Sequence, residues 1–457
     1  MFSSDKWFGA SAGFYPETIG QSLRFEDGDS PYLHRTPSSV GNRRTFTISA
    51  WVKRGDLGAT PVILKANTGV GDALHFRDTS TGTSPSALAF FLADTGQAVL
   101  YSTQKFRDTT NWYHIVASVD TTQATASNRI KLYVNGVQIT QFDTANYPSQ
   151  NYDCTFNTAV SHQVGAYANG NSHFDGYMAE FNFIDGTALT PSSFGETKNG
   201  VWIPKAISGL TYGTNGFRLT FADSSSLGDD TSGNGNDFTS SGLASTDVVP
   251  DSPTNSFAVL NALEPSGATL SEGNLRFTGK TGVGAGYYAT RATFGITSGK
   301  WYFEGLATDD DSIVGIGTAS ASLDNYLGGD AHAYGYAGFN GQKYNNNSGS
   351  SYGATFGNGD IIGVAFDADN GTLTFYKNGA TQGTAFTSLT ATPYFPMVGE
   401  TAQSSPITTH LNFGQDSSFS GNKTAQGNTD ANGQGDFYYD PGDYLALCSS
   451  NLPDTTL

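Results

Sequence analysis

Aromatic, amide and carboxylate side chains are interspersed with glycine between residues 330 and 352. Sites for sugars or receptors need aromatic faces for stacking and polar groups for hydrogen bonds, displayed on loops of a rigid scaffold. This stretch has that chemistry, so it predicts a ligand-binding site. Alternating Tyr and Gly is also typical of a strand with one aromatic face, and the core interpretation stays open beside it. The predicted ligand-binding residues are Asp330, His332, Tyr334, Tyr336, Tyr344, Asn345 and Tyr352.

Acidic residues crowd a second stretch, residues 223–237, among many Ser, Asn and Gly. Hard cations such as Ca²⁺ prefer clustered oxygen ligands on flexible loops. The same residue types also dominate turns for backbone reasons, and their spacing here does not copy the twelve-residue EF-hand loop. Calcium is therefore left open, no other cofactor is expected, and residues 309–311 (Asp-Asp-Asp) are a weaker second cluster. The candidate calcium ligands are Asp223, Asp229, Asp230 and Asp237.

Catalytic motifs are weak in this sequence. Residues 349–353 (Gly-Ser-Ser-Tyr-Gly) match the nucleophile elbow formally, but asparagines precede them where a strand is required. Residues 282–286 (Gly-Val-Gly-Ala-Gly) lack the helix and crossover unit of a dinucleotide site. None of the seven histidines is paired with another at metal-ligand spacing. The residues predict a protein that is not an enzyme.

Length and composition favour two β-rich domains. The chain has 457 residues, whereas single cores stop growing at about 250 to 300 residues. Its 56 glycines, 13% aromatic residues and 14% charged residues favour short strands joined by tight turns. A formal net charge of −18 disfavours nucleic acid and anionic membrane surfaces, and no segment approaches transmembrane length. Two cysteines, Cys154 and Cys448, are expected to be buried free thiols, and the N-terminus lacks the pattern of a signal peptide.

Period-two alternation marks the strands that would position these residues. It is clear in residues 46–53 and 112–120 of the first half and in residues 360–367 of the second. Asn-Gly pairs at 135–136 and 378–379 predict hairpins, because both residues tolerate the positive φ of a type I′ turn. The predicted fold class is all-β, with two tandem antiparallel β-sandwich (jelly-roll) domains and a turn-rich connector. The predicted segments are an N-terminal arm (1–21), a first jelly roll (22–202), a connector with short strands (203–265), a second sandwich (266–448) and a C-terminal tail (449–457).

Two series of short motifs resemble known domains. The first series comprises residues 46–53, 111–114 (Asn-Trp-Tyr-His), 132–136 (Leu-Tyr-Val-Asn-Gly) and 174–181 (Phe-Asp-Gly-Tyr-Met-Ala-Glu-Phe). In this order it resembles the laminin-G-like branch of the concanavalin A-like jelly rolls. The second series comprises residues 300–304 (Lys-Trp-Tyr-Phe-Glu), 314–317 (Val-Gly-Ile-Gly), 359–367 (Gly-Asp-Ile-Ile-Gly-Val-Ala-Phe-Asp) and 373–379 (Leu-Thr-Phe-Tyr-Lys-Asn-Gly). It closely resembles the SPRY domain, a bent β-sandwich used for protein or ligand recognition.

The first resemblance raises an enzymatic alternative, since concanavalin A-like folds also house glycoside hydrolases. Hydrolysis needs two carboxylates about 5 to 10 Å apart around the scissile bond. The usual Glu-x-Asp-x-x-Glu strand is absent, and Glu180 and Glu304 each stand alone on a predicted strand. A lone strand carboxylate is more often solvated or hydrogen-bonded than catalytic. A glycan-degrading hydrolase therefore remains only the alternative.

The pairing of the two modules, the turn-rich connector and the ending at residues 446–453 resemble proteins of marine bacteriophage particles. This resemblance implies a phage structural protein of a tail fibre, tail tip or surface spike, located in the virion. Its expected partners are a host-surface glycan or receptor and other virion proteins. A homo-oligomer is expected because self-association would bury edge strands. A purely architectural virion cement protein is the third alternative.

Overall fold

The computed structural model describes residues 14–452, apart from residues 59, 68, 70, 78–83, 93–97, 168–171, 265–266, 281–286, 392 and 402–406. The described residues form two compact units that divide between Thr254 and Asn255. Nearly all their strand pairs are antiparallel, so the predicted all-β class with two tandem sandwiches is confirmed. No helix in these ranges is long and apolar enough to cross a membrane.

The strands of the first unit are β1 (Ser22–Phe25), β2 (Tyr32–Arg35), β3 (Thr45–Arg54), β4 (Val62–Ala66), β5 (Ala73–Phe76), β6 (Ala87–Leu92), β7 (Ala98–Lys105), β8 (Tyr113–Asp120), β9 (Ile130–Val134), β10 (Val137–Gln138), β11 (Phe142–Asn146), β12 (His162–Val164), β13 (Gly176–Asp185), β14 (Gly195–Lys198), β15 (Val201–Pro204), β16 (Phe217–Leu219), β17 (Thr239–Ser241) and β18 (Val248–Val249).

The strands of the second unit are β19 (Thr269–Ser271), β20 (Arg276–Thr278), β21 (Ala289–Arg291), β22 (Lys300–Ala307), β23 (Ser312–Thr318), β24 (Ala333–Ala337), β25 (Gln342–Asn345), β26 (Ser348–Ser351), β27 (Ile361–Asp367), β28 (Thr372–Lys377), β29 (Ala380–Phe386), β30 (Tyr394–Glu400), β31 (Thr408–Asn412) and β32 (Leu445–Ala446). Single 3₁₀ turns occur at Asp27–Asp29, Ala126–Asn128, Pro191–Ser193, Ser245–Asp247 and Ser449–Asn451.

Two sheets pack face to face in the first unit. One has the order β10-β9-β8-β3-β13-β1-β18, with β16 beside β13, and the other has the order β11-β7-β6-β5-β4-β12-β2-β17. Alternate residues of β3 point into the core between the sheets, where Phe46, Ile48, Ala50 and Val52 are buried. The intervening residues of β3 point to the outer face of the first sheet, as the period of a strand requires.

The second unit has the same construction. One sheet has the order β19-β20-β31-β22-β27-β28-β29, with β32 parallel to β22, and the other has the order β21-β30-β23-β24-β25-β26. Its core contains Phe303, Val364, Phe375 and Leu411. Strands β20 to β31 follow the pairing order of β1 to β13, with β11 as the extra strand of the first unit.

The Asn-Gly hairpins extend this correspondence. Asn135 and Gly136 have φ values of 47° and 79°, and Asn378 and Gly379 have 48° and 78°, so both predicted type I′ turns are confirmed. The Asn135 side-chain oxygen accepts the backbone amide at the start of β8 at 2.8 Å, and that of Asn378 accepts the backbone amide at the start of β27 at 2.9 Å. Each asparagine therefore joins its turn to the neighbouring strand in the same way.

The unit boundary differs from the predicted domain boundaries. Within the predicted connector, β16, β17 and β18 pair with β13, β2 and β1 of the first unit. Asp251 forms a fully buried salt bridge with Lys53 at 2.8 Å, and Trp112 Nε1 donates to its other oxygen at 3.1 Å. Two- and three-residue strands among turn formers show too little alternation to be assigned from sequence. The first unit therefore extends beyond residue 202, to Thr254.

The chain ends also pack on the units. In the predicted arm, Ile19 is buried beside Trp51, and its amide donates to Thr254 Oγ1 at 3.1 Å. In the predicted tail, the Ser449 amide donates to the Ser256 carbonyl at 2.8 Å. Residues 1–13 of the arm and 453–457 of the tail lie outside the described residues. The two cysteines are buried and not disulfide-bonded, as expected.

Candidate functional site

The tyrosines of the predicted ligand segment pack mainly in the second-unit core. Tyr334 and Tyr336 lie on one face of β24, and Tyr336 is fully buried, which raises its pKa to about 12. Its ring centroid lies 5.2 Å from that of Tyr352 and 5.0 Å from that of Phe356. Its hydroxyl donates to the Ala354 carbonyl. In this stretch, the alternation of Tyr and Gly is that of a strand with one aromatic face.

The remaining predicted ligand residues lie around the start of β24 and the end of β25, which are adjacent because the two strands are antiparallel. Asp330 accepts the His332 amide at 2.7 Å, and its other oxygen accepts a further backbone amide. Asn345 Nδ2 donates to the Ala333 carbonyl at 2.9 Å, and Tyr344 packs edge-on against a neighbouring tyrosine. His332 is exposed. The structure brings these groups together, and their hydrogen bonds stabilise the backbone of the surrounding loops. Their role in ligand binding stays a prediction.

The four predicted calcium ligands do not converge on one point. Asp230 is buried and accepts hydrogen bonds from the Arg218 amide of β16 and from two amides and a hydroxyl of its own turn region. Asp237 accepts the Asp230 amide at 2.9 Å, and Asp223 accepts both the amide and the hydroxyl of Ser225. Asp229 is exposed. These carboxylates serve mainly to accept hydrogen bonds from the backbone of turns. This is the structural role that their residue types left open beside calcium binding.

Carboxylate oxygens converge elsewhere in the described ranges. Glu26, Asp27 and Asp175 form one group, and residues 309–311 form another, each with oxygens within 4.8 Å of one another. Asp175 is 5% exposed, and burial together with the charges of Glu26 and Asp27 raises its pKa well above the ordinary value. Sequence reasoning identified the second group and missed the first, whose members are distant along the chain.

A small cleft of about 10 Å³, with room for about one water molecule, lies on the outer face of the first-unit sheet, between that face and the chain that follows β13. Residues from β3, β8, β13 and β16 line its floor, and no sequence motif joins them. They include Ser49, Trp51, His114, Glu180, Asn182 and Arg218. We call this feature the sheet cleft.

A β-bulge in β13 positions the carboxylate of the sheet cleft. Ala179 pairs with Trp51 but Asn182 pairs with Ser49, so β13 has one residue more than β3 between these pairs. Glu180 lies in the bulge with φ of 47°, a conformation that costs a non-glycine residue about 1 to 3 kcal/mol. Its two oxygens accept hydrogen bonds from Arg218 at 3.0 and 3.1 Å. Glu180 is therefore the anionic half of a bidentate ion pair.

Ser49 and His114 form a pair that resembles a nucleophile and its base, with Ser49 Oγ 2.9 Å from His114 Nε2. Catalysis would require Nε2 to accept the hydroxyl proton. Trp202 Nε1, which can only donate, lies 3.0 Å from His114 Nδ1. Burial lowers the pKa of His114 to about 3, so the ring is neutral and its one proton is on Nε2. His114 donates to Ser49 and cannot deprotonate it.

A row of four paired residues crosses the sheet beneath the cleft, and an equivalent row crosses the second unit. The first-unit row is Tyr133, Val116, Ser49 and Asn182, and the second-unit row is Tyr376, Gly363, Glu304 and Asn412. Both rows are counted from the strand that enters the Asn-Gly turn. Glu304 therefore occupies the position of Ser49.

The second-unit row is covered by the unit's own closing segment. Glu304 is fully buried, and its oxygens accept the backbone amides of Tyr438 at 2.9 Å and Tyr439 at 2.8 Å. Asn412 Nδ2 donates to Glu304 at 3.1 Å and to the Asp436 carbonyl at 2.9 Å. Burial raises the pKa of Glu304 to about 7, because desolvation outweighs these donors. Glu304 binds the closing segment to the sheet.

An acidic rim with one exposed aromatic residue lies where β22 leads into β23. Phe339 is 45% exposed, and a Cβ on the preceding Gly338 would lie 2.4 Å from the Asp310 carbonyl oxygen, so the two loops touch. The hydrogen bond with Asp309 raises the pKa of Asp310. Thr401 Oγ1 donates to Asp311 Oδ1 at 3.1 Å. We call residues 309–311 and Phe339 the acidic rim.

Comparisons with known families match both units. The SPRY domain model matches residues 300–416, and a model described as the concanavalin A-like lectin/glucanases superfamily matches residues 27–193. The chain carries a concanavalin A-like domain followed by a SPRY domain. The two resemblances seen in the sequence are thereby confirmed in the order expected.

Known relatives match the SPRY part of the chain. The chain is 37% identical over 133 residues to SPRY domain-containing SOCS box protein 3 of Xenopus tropicalis, covering 27% of this chain and 37% of that protein. It is 36% identical over 155 residues to Ran-binding protein 9 of Xenopus laevis, covering 32% and 28%. The chain thus spans well under half the length of either relative. The solved SPRY domain of human HERC1 aligns with a TM-score of 0.30 and 21% identity, covering 33% of this chain and 96% of that one.

These relatives overturn the predicted biological setting. They are vertebrate proteins, so the expectation of a phage tail fibre, tail tip, spike or cement protein located in the virion is wrong. The expected virion partners and host-attachment role are withdrawn with it. Strand alternation and Asn-Gly turns specify a sandwich through backbone geometry, which is the same whichever genome encodes it.

Proposed function

We propose that this chain is a non-enzymatic, protein-binding protein whose SPRY domain binds a partner polypeptide at the acidic rim. The observation that carries the proposal is Phe339, a large aromatic residue that is 45% exposed beside three consecutive aspartates. Exposed aromatics surrounded by polar residues are common centres of protein interfaces.

Charge defines the partner's chemistry. Residues 309–311 place three carboxyl groups within 4.8 Å of one another, and the chain as a whole has a formal charge of −18. A cationic side chain would relieve the repulsion among these groups and would be attracted over a distance of about 8 to 10 Å at physiological salt. The preferred partner is therefore a segment with Lys or Arg beside an apolar residue that packs on Phe339.

The titratable groups nearest to catalytic arrangements support binding over turnover. His114 is held as the tautomer that donates to Ser49, and Glu180 is ion-paired with Arg218. Glu304 accepts backbone amides of the closing segment. Each of these groups has a structural hydrogen-bonding role that competes with proton transfer to a substrate.

A random dodecapeptide library selected by messenger-RNA display against the full chain tests the proposal. We expect selected peptides rich in Lys and Arg, and we expect Phe339→Ala to weaken their binding at least tenfold. The matched control is Val137→Ala, which removes a 71% exposed apolar side chain of the first unit and should leave affinity unchanged. Selected peptides that bind Phe339→Ala as well as the native chain, or steady turnover of a substrate, would refute the proposal.

A further inference from the structure

The end strand β26 of the second unit has an open edge. It pairs with β25 on one side, and no described strand pairs with it on the other. All four of its residues, Ser348–Ser351, are exposed, and none is charged or proline. Proteins usually protect such edges with charges, proline, bulges or a covering chain, because the unpaired N–H and C=O groups of an edge bind other chains. These protections are absent from the described residues of β26.

The turn that precedes β26 determines which of its backbone groups point outward. Asn346 and Asn347 have φ values of 52° and 57°, as a two-residue type I′ turn requires. The residues that flank such a turn form a hydrogen-bonded pair, and from there hydrogen-bonded pairs alternate with pairs that exchange no bonds. The N–H and C=O groups of Gly349 and Ser351 therefore point away from β25. A further strand can bind to these groups.

Gly349 also exposes an aromatic surface beside this edge. It pairs with Tyr344 of β25, and a Cβ on Gly349 would lie 2.7 Å from Tyr344 Cε1, so the ring lies over the glycine. Asn340 Nδ2 anchors the ring by donating to the Tyr344 hydroxyl at 2.7 Å. Side chains that lie directly opposite each other on neighbouring strands are close enough to interact. A side chain opposite Gly349 on an added strand would therefore contact the Tyr344 ring.

Two other free edges, both longer than β26, are protected. The edge strand β29 of the other second-unit sheet has two register shifts. Its Gly383 carbonyl accepts the Tyr352 hydroxyl, and its Ala385 carbonyl accepts Lys343 Nζ. The edge strand β11 of the first unit has a bulge and an aspartate that is ion-paired with a lysine of β7. Charges, bulges and used carbonyls disfavour strand addition at these edges relative to β26.

We infer that β26 binds a partner polypeptide as an added antiparallel strand of its sheet. The partner backbone exchanges hydrogen bonds with Gly349 and Ser351, and an apolar β-branched side chain of the partner packs on the Tyr344 ring. Lysine or arginine at the ends of the added segment suits a chain with a net charge of −18. This rests on the proposed protein-binding function, but it uses the backbone of a different element from the acidic rim.

The test uses the acetylated and amidated peptide Lys-Val-Thr-Val-Thr-Val-Lys, whose β-branched residues favour an extended strand. The full chain is titrated with this peptide, and hydrogen exchange of its backbone amides is followed by NMR. We expect the Gly349 and Ser351 amides, which face solvent in the free chain, to be protected at least tenfold at saturation. The Ser348 and Ser350 amides already bond to β25 and should change little.

Two N-methylated versions of the peptide test its backbone directly. In an antiparallel pair, the residue opposite Gly349 exchanges hydrogen bonds with it and has its side chain on the Tyr344 face. Since valine should occupy that face, N-methyl groups on the three valines should weaken binding at least tenfold. N-methyl groups on the two threonines point away from β26 and should have little effect.

A variant of the chain provides a second readout. Ser351→Pro removes an outward N–H group without removing a bond to β25, so it should weaken peptide binding at least tenfold. Gln138→Pro is the matched control, because Gln138 is exposed on the edge strand β10 and also lies in a pair without hydrogen bonds. It should leave binding unchanged. Equal affinity for Ser351→Pro and the native chain would overturn the inference.

Other outcomes also decide the question. No protection of Gly349 and Ser351 at millimolar peptide, or equal binding of the two methylated peptides, would overturn the inference. Protection that rises with protein concentration in the absence of peptide would overturn it in favour of a second copy of this chain. Phe339→Ala should leave this protection unchanged. Loss of rim binding with intact strand addition would contradict the proposed function alone, and the reverse would contradict only this inference.

Discussion

The two units share a strand order and a hairpin, yet they cover the outer face of the equivalent sheet differently. In the second unit the closing segment lies directly on Glu304 through its backbone amides. In the first unit Ser49 stands at that position, the cover contacts the row through the Tyr212 hydroxyl, and a cleft remains. One position in the row therefore separates a cover bound through its backbone amides from a cover bound through a side-chain hydroxyl, since a longer carboxylate side chain can reach the covering chain.

The units also stabilise their covers with different electrostatics. In the first unit Asp251 is paired with Lys53 inside the protein, with both side chains fully buried. In the second unit Glu304 is buried among neutral donors. A buried ion pair and a buried carboxylate that is held by neutral hydrogen-bond donors respond differently to mutation and to pH. The following variants test this contrast.

The largest effect is expected for Asp251→Asn. This change leaves the Lys53 ammonium buried without its carboxylate, which should lower the free energy of unfolding of the first unit by about 3 to 5 kcal/mol. Native-state hydrogen exchange of β3 amides measures this unit separately. Asp153→Asn is the control, because its partner Arg44 is exposed and such pairs contribute about 0 to 1 kcal/mol. Equal effects of the two substitutions would contradict the buried-pair account.

A pH dependence is expected for the second unit. The folded pKa of Glu304 is about 7 against an ordinary value of 4.5, so the folded state binds the proton more tightly than the unfolded state. The resulting stabilisation is complete below pH 4.5 and is lost as the pH rises through 7, a change of about 3 kcal/mol. Hydrogen exchange of β27 amides, corrected for intrinsic rates, measures this loss.

Glu304→Gln isolates this contribution. Burial raises the pKa of Glu400 to about 7 as well, so the substitution should remove only part of the slope between pH 4.5 and 7. It should also destabilise the unit by about 2 kcal/mol at pH 7, since a glutamine NH₂ would face one of the two backbone donors. An unchanged slope would show that Glu304 does not titrate in this range.

Intermediate effects are expected at the two hairpin glycines. A Cβ on Gly136 would lie 2.4 Å from the Trp202 ring, and one on Gly379 would lie 2.8 Å from the Tyr439 ring. Alanine at either position should cost about 2 to 3 kcal/mol, because a clash with the covering ring adds to the strain of positive φ. Gly233→Ala, with positive φ and open space, should cost about 1 kcal/mol. Thermal unfolding of the three variants ranks them.

The smallest effect on stability is expected for Trp202→Phe. This change removes the donor to His114 Nδ1 and should cost about 1 kcal/mol. Nitrogen NMR of the imidazole should show Nε2 protonated in the native chain and a mixture of tautomers in the variant. A native ring protonated on Nδ1 would contradict the assignment and would reopen a catalytic role for Ser49.

Local patterns predicted the framework well. The alternation in residues 46–53 and 360–367 corresponds to β3 and β27, and both Asn-Gly turns form as expected. These features depend on a few neighbouring residues, so they can be recognised without knowing the fold. The extent of the first unit was missed because Asp251 and Lys53 are 198 residues apart along the chain. The strands between residue 204 and Asp251 also have only two or three residues each.

Sites that depend on several strands could not be predicted in the same way. Ser49, His114, Glu180 and Arg218 meet only because β3, β8, β13 and β16 are neighbours in one sheet. The tyrosines of residues 330–352 have the chemistry of a ligand site, but strand pairing directs Tyr336 into the core. Composition alone could not distinguish a binding residue from a core residue, because the same residue type packs in the core or binds a ligand according to the face of the strand on which it lies.

The buried Lys53–Asp251 pair has a practical consequence for anyone who wishes to study the first domain alone. A fragment ended at residue 202 would lose three sheet strands and the carboxylate that pairs with Lys53. Such a polypeptide should be insoluble or digested rapidly by proteases. A fragment ended after Thr254 retains Asp251, the partner of Lys53, and ends at the boundary of the unit.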